Sequence, residues 1–217
     1  MSDKISQQLE EKLRAAPVVP LIQANDPGVA LKTAQALQDG GLDVVEVVLR
    51  TDAALDCMEA IIAETSGMIV GAGTILTADD AKAAMVRGAQ FIISPGLIYA
   101  VVNFCKENGL PVFPGIMTPG EAQQAHCIGL KTVKFFPASL AGGVPMLKAL
   151  GSVFHEMRFM PTGGVSAENL AEFLALPSVV ACGGSWLTPK ESIKAGDYAA
   201  ITKLARAAVD IADASRP

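Results

Sequence analysis

Val44-Val45-Glu46-Val47-Val48-Leu49, the stretch from Ala53 to Glu64, and Met68-Ile69-Val70-Gly71 read in succession as apolar strand, amphipathic helix and apolar strand. The two apolar runs are too far apart for a hairpin and suitably spaced for a strand, a helix and two loops. The alternation continues in both directions. Upstream lies Val18-Val19-Pro20-Leu21-Ile22. Downstream come Phe91-Ile92-Ile93, Val112-Phe113, Val133-Lys134-Phe135, Met157-Arg158-Phe159-Met160 and Val179-Val180-Ala181-Cys182. Ala-rich amphipathic stretches at Pro27 to Gln38, Ala78 to Arg87, Ile98 to Asn108, Pro119 to Ile128 and Ala167 to Ala175 fall between them. Asp26, Thr77, Thr118 and Ser166 stand where N-caps belong, and Gly40-Gly41, Gly88, Gly109 and Gly129 where helices end. Eight such units predict a (β/α)8 TIM barrel occupying residues 1–217 as a single domain. An extra N-terminal helix from Ile5 to Ala15 is expected to close the barrel bottom, with Tyr198 to Ala212 as the last helix. The competing arrangement is an open doubly wound sheet. Near-equal units, and no Gly-x-Gly-x-x-Gly after the first strand, weigh against it.

Composition narrows the chemistry. Of 217 residues, 51% are hydrophobic and 18% charged, the balance of a chain with a large core. A net charge of -5 supplies no broad basic field, which argues against nucleic acid, so any anion must be held locally. Cys57, Cys105, Cys127 and Cys182 are widely spaced and read as free thiols of a reducing compartment. The first residues lack the apolar core of a signal peptide, and no apolar run approaches the roughly 18 residues of a membrane span. A cytoplasmic protein with no membrane partner is expected.

Two charges fall within strands. Lys134 lies in the apolar segment Lys131 to Pro137, where an unpartnered ammonium costs several kcal/mol or loses its proton. One reading is a lysine whose stem is buried while its head reaches water. The other is a sequestered amine able to form an imine with a carbonyl substrate. With a period of two, Val44, Glu46, Val48 and Arg50 share one strand face, and Thr132, Lys134 and Phe136 share another. If those faces point inward, Glu46 and Lys134 enter one enclosed space from strands 2 and 6. That places either a structural ion pair or a catalytic amine and acid there.

The strand exits favour chemistry. Barrel active sites lie at the carboxyl ends of strands, with phosphate often held after strands 7 and 8. Those exits read Pro161-Thr162-Gly163-Gly164-Val165-Ser166 and Cys182-Gly183-Gly184-Ser185-Trp186. Paired glycines let backbone N–H groups approach an anion closely. The other exits, Gly71-Ala72-Gly73-Thr74, Ser94-Pro95-Gly96 and Pro114-Gly115, are also glycine-bearing. His126 and His155 have no paired-ligand spacing, so no metal is expected, and Trp186 reads as packing near the mouth.

Together these segments closely resemble the 2-keto-3-deoxy-6-phosphogluconate aldolase family, which includes 4-hydroxy-2-oxoglutarate aldolases. The match runs through Glu46 to Thr51, Gly71 to Thr74, Ile93 to Gly96, Pro114 to Ile116, Val133 to Ala138, Pro161 to Val165 and Gly183 to Leu187. The resemblance implies a class I aldolase that needs no metal or cofactor, forms a homotrimer and takes a small phosphorylated keto acid. By position, it makes Lys134 the Schiff-base lysine and Glu46 the proton shuttle. It assigns Arg50 and Thr74 to the pyruvyl carboxylate, Pro95 and Phe136 to that pocket's lining, and Gly163, Gly164, Gly184 and Ser185, with Thr162 nearby, to phosphate. Val48 and Met117 depart from the family pattern, beside the site, and bear on substrate preference. Against this retro-aldol reading stand an isomerase or synthase barrel using lysine only as a charge, and a non-catalytic sugar-phosphate sensor.

Overall fold

The computed structural model describes residues 2–215. The strands are β1 (Val18–Ile22), β2 (Val44–Val48), β3 (Ile69–Gly73), β4 (Ile92–Ser94), β5 (Val112–Ile116), β6 (Thr132–Phe135), β7 (Arg158–Pro161) and β8 (Cys182–Gly184). All pair in parallel, in the order β7-β6-β5-β4-β3-β2-β1-β8. Parallel bridges Phe159↔Val179 and Thr162↔Gly183 join the two ends and close the (β/α)8 barrel.

Between the strands run α2 (Pro27–Asp39), α3 (Ala54–Glu64), α4 (Ala78–Val86), α5 (Tyr99–Glu107), α6 (Pro119–Cys127), α7 (Gly143–Val153) and α8 (Leu170–Leu174). α1 (Ser2–Ala15) precedes the barrel, and α9 (Lys190–Ala195) and α10 (Tyr198–Ser215) follow it. Their starts are set by local chemistry. Asp26 accepts the N–H of Val29, and Thr77 and Thr118 form reciprocal capping boxes with Asp80 and Glu121. Gly88, Gly109 and Gly129 take φ of 92°, 62° and 79° just past α4, α5 and α6, the left-handed turn that ends a helix cheaply only at glycine.

Two apolar layers result. The outer one packs strands on helices, with Leu37, Val45, Met58, Ile61, Val70, Val133 and Phe159 fully or almost fully buried. The inner one fills the barrel with Val19, Val44, Ile69, Phe91, Ile93, Met160 and Ala181. Leu9 and Leu13 of α1 belong to that inner layer, so this helix closes the amino end of the barrel. Burying two leucines there contributes on the order of 3–6 kcal/mol.

Two expectations require correction. The eighth strand is not Val179 to Cys182 followed by a Gly183-Gly184 loop; it is Cys182–Gly184, with both glycines inside it. A Cβ on Gly183 would lie 2.2 Å from Thr162 Oγ1, and one on Gly184 2.6 Å from the Trp186 ring, so close approach rather than turning requires glycine. The eighth helix begins at Leu170, not Ala167, because the Asn169 side chain turns back to accept the Ser166 N–H instead of Ser166 capping forward. Cys57, Cys105, Cys127 and Cys182 are free thiols, as expected. Among the described residues, no helix is long and apolar enough to cross a membrane.

Candidate active site

Glu46 and Lys134 enter the barrel from β2 and β6. Glu46 pairs in register with Leu21 and Gly71, and Lys134 with Gly115 and Met160. Lys134 Nζ lies 3.6 Å from Glu46 Oε1, with side-chain exposures of 4% and 1%. The separation is that of an ion pair, longer than a good hydrogen bond. Burial pushes the Glu46 carboxyl up from 4.5, and the positive charges of Lys134 and Arg50 offset part of that rise. Among the described residues Glu46 Oε1 has no hydrogen-bond partner. An anion held this way is expensive and is not explained as a device for stability.

Glycines make room for this pair. A Cβ on Gly73 would lie 1.9 Å from Glu46 Oε1, and one on Gly115 would lie 2.0 Å from the Pro95 carbonyl oxygen. Pro95 is thereby pressed against the strand residue that pairs with Lys134. The Phe136 ring faces Lys134 Nζ from 5.0 Å.

At the mouth, Arg50 Nε donates to Thr74 Oγ1 at 3.0 Å. Thr74 has φ 59°, the one positive φ at a residue other than glycine among those described. A β-branched residue in this region is strained, and such strain gathers at functional sites. The guanidinium is exposed and directed by a half-buried hydroxyl, a suitable arrangement for receiving a carboxylate.

Beyond β7, Gly163 and Gly164 take φ of 94° and 79° in succession. Among the described residues their N–H groups have no intramolecular acceptor. Two residues that were not expected at the site hold this turn. Ser139 Oγ and Asn169 Nδ2 both donate to the Gly164 carbonyl at 2.9 Å, leaving its amide side open. Thr162 is buried beside Gly183, Gly184 is buried under Trp186, and Ser185 is exposed at the exit of β8. Ser94, also not singled out earlier, is fully buried and donates to the Gly96 carbonyl, shaping the turn that carries Pro95. Val48 is buried and Met117 exposed.

Lys134 thus meets both Glu46 and Phe136, Arg50 is joined to Thr74, and Gly163 abuts Phe136, where a Cβ would come within 3.4 Å of the ring. Gly184 and Ser185 follow Gly183, which pairs with Thr162 next to Gly163. Among the described residues no cluster of three metal-ligating side chains occurs.

Known proteins share this arrangement. The family model for KDPG and KHG aldolase matches residues 9–204. The KHG/KDPG aldolase of Escherichia coli K12 is 46% identical over 93% of this chain and 94% of its own. The crystal structure of the 2-keto-3-deoxy-6-phosphogluconate aldolase of Zymomonas mobilis ZM4 with 3-phosphoglycerate superposes with TM-score 0.90 at 36% identity, covering 100% of both chains. A KDPG aldolase from Legionella pneumophila, with pyruvate captured at low pH as a covalent carbinolamine intermediate, superposes with TM-score 0.88 at 38% identity over 92% of this chain and 97% of its own. A family model matched from residue 9 to residue 204, together with relatives this similar over nearly the whole length, shows that this chain belongs to the KDPG and KHG aldolase family.

Proposed function

We propose that the chain is a class I aldolase cleaving 2-keto-3-deoxy-6-phosphogluconate to pyruvate and glyceraldehyde 3-phosphate. The single observation that carries this is Lys134 Nζ, almost fully buried, 3.6 Å from the equally buried carboxylate of Glu46. The pull of burial on Glu46 favours a carboxyl that keeps a proton. A proton held on Glu46 rather than on Nζ is the state from which the amine attacks.

Nζ bonds to the C2 ketone, whose oxygen takes up protons and leaves as water, giving an iminium. Glu46, now a carboxylate, takes the C4 hydroxyl proton. The O–H electrons form the aldehyde carbonyl, and those of the C3–C4 bond flow to the iminium nitrogen, leaving a pyruvyl enamine. Glyceraldehyde 3-phosphate departs, C3 is protonated, and hydrolysis frees pyruvate. In this reading Arg50 and Thr74 hold the pyruvyl carboxylate and Pro95 and Phe136 line its pocket. Gly163, Gly164, Gly184 and Ser185 receive the phosphate, with Thr162 beneath. The open N–H groups at two successive left-handed glycines support that last assignment, and with it a phosphorylated substrate.

Incubation with pyruvate and borohydride followed by peptide mapping tests the proposal. A stable adduct on Lys134 is expected, and an unmodified lysine overturns it. Following pyruvate release with lactate dehydrogenase on the gluconate and galactonate epimers then fixes the preferred substrate, since such epimers are separated by only a few kcal/mol of contacts. A homotrimer in the cytoplasm is part of the same reading, the trimer supported by the family resemblance and the compartment by the free thiols. Light scattering should then return about three times the 22.5 kDa of one chain, against a single multiple for a monomer.

A further inference from the structure

Lys134 Nζ has two electrostatic neighbours. Glu46 Oε1 lies 3.6 Å away, and the Phe136 ring presents its face with the centroid 5.0 Å away. Phe136 follows Lys134 by two residues, one past the end of β6, and its ring lies under Nζ there. Its position is fixed: its N–H donates to the Ile116 carbonyl at 3.0 Å, and Gly163 packs against the ring edge. Any apolar side chain could line a pyruvyl pocket. An aromatic face also carries negative charge density, and a cation within about 6 Å of its centre is attracted, most strongly where water is excluded. With 4% of its side chain exposed, Lys134 is in such a place.

We propose that Phe136 is a catalytic residue whose ring face stabilises the iminium cation formed at Lys134 Nζ. This rests on the Schiff-base reading above. In the step concerned, the C2–O bond of the neutral carbinolamine breaks, its electron pair leaving on oxygen. That oxygen takes the proton of the Glu46 carboxyl and departs as water. The nitrogen lone pair forms the C=N bond, and nitrogen becomes positive while Glu46 becomes negative. A pair of charges is therefore created in a nearly dry chamber. Glu46 and the ring both balance the new cation. Cleavage of C3–C4 later returns both to neutrality, so the ring favours the iminium over both the carbinolamine before it and the enamine after it.

The test uses the full chain with Phe136 replaced site-specifically by 4-fluoro-, 3,5-difluoro- and 3,4,5-trifluorophenylalanine, which keep the ring's shape while draining charge from its face. Borohydride reduces the iminium and not the carbinolamine, so the initial rate of adduct formation at saturating pyruvate reports the iminium population. The logarithm of that rate should fall steadily with fluorine number, by on the order of tenfold across the series. Phe136→Leu should lose at least as much as the trifluoro variant. A flat series, or a Phe136→Leu rate equal to wild type, overturns the role of the ring. Wild-type enzyme that fails to trap pyruvate would instead overturn the Schiff-base reading itself.

Discussion

The carboxylate of Glu46 occupies the space where a side chain on Gly73 would begin, with Oε1 1.9 Å from an ideal Cβ there. The methyl group of Gly73→Ala would therefore push the acid off its position while leaving every reacting group in the chain. A displacement of about 1 Å at a proton-transfer group costs on the order of 10²-fold. Steady-state kinetics should show that loss in kcat with KM little changed. A Gly73→Ala enzyme with wild-type kcat would mean that the position of Glu46 is immaterial.

Glu46 also makes stability depend on pH. Its carboxyl is raised above 4.5 by burial, and Lys134 is the largest opposing influence. In Lys134→Met that counterweight is gone. The folded state then binds the carboxyl proton more tightly than the unfolded chain, so the stability it contributes is complete below 4.5 and is lost as pH climbs through the raised value. Lys134→Met should fall short of wild type by on the order of 3 kcal/mol at pH 8, where a buried charge stands alone. Most of that deficit should be recovered near pH 5. Urea melts at the two pH values settle the matter, and equal deficits would contradict the account.

Thr74 combines strain with a contact to Arg50. Replacing it by glycine relieves about 1–2 kcal/mol of left-handed strain and adds back about 1 kcal/mol of chain entropy. These nearly cancel, so Tm should move by no more than a few degrees. Arg50 meanwhile loses the hydroxyl that directs it, and KM for the keto acid should rise by on the order of tenfold. A large fall in Tm with unchanged KM would reverse the assignment.

Leu9 allows folding and chemistry to be separated. Its side chain is 3% exposed inside the barrel's inner layer, far along the strands from the carboxyl rim. Leu9→Ala should cost about 2–5 kcal/mol in denaturant unfolding. At temperatures where the variant remains folded, kcat should match wild type.

Much of this was legible in the residues because the barrel repeats one local rule. Thr77 and Thr118 mark helix starts through their own hydroxyls, and the apolar runs mark strands, although β5 continues through Pro114 and Gly115, expected as its exit, to Ile116. The period of two allowed Glu46 and Lys134 to meet if both faces pointed inward, and the two lie 3.6 Å apart inside the barrel. The misplaced eighth strand shows where such reading stops. Glycine usually signals a turn, yet at Gly183 it signals the Thr162 side chain pressing on a strand from across the sheet, a tertiary fact with no local trace. Helices α7 and α9 carried no start signal, since Gly142 and Pro189 offer no capping side chain. Ser139 escaped notice because it meets Gly164, 25 residues away, only once the chain has folded.

With Leu9 and Leu13 seated in its amino end, the cylinder offers its carboxyl rim as the way in for substrate and for the water that hydrolyses the last intermediate. In the proposed mechanism the three-carbon fragment stays tethered to Lys134 until that water arrives, so the aldehyde leaves first. In the synthetic direction the queue reverses, and the keto acid must be loaded before its partner. Product inhibition should carry this signature, with pyruvate competing for the empty enzyme and the aldehyde acting on the loaded one.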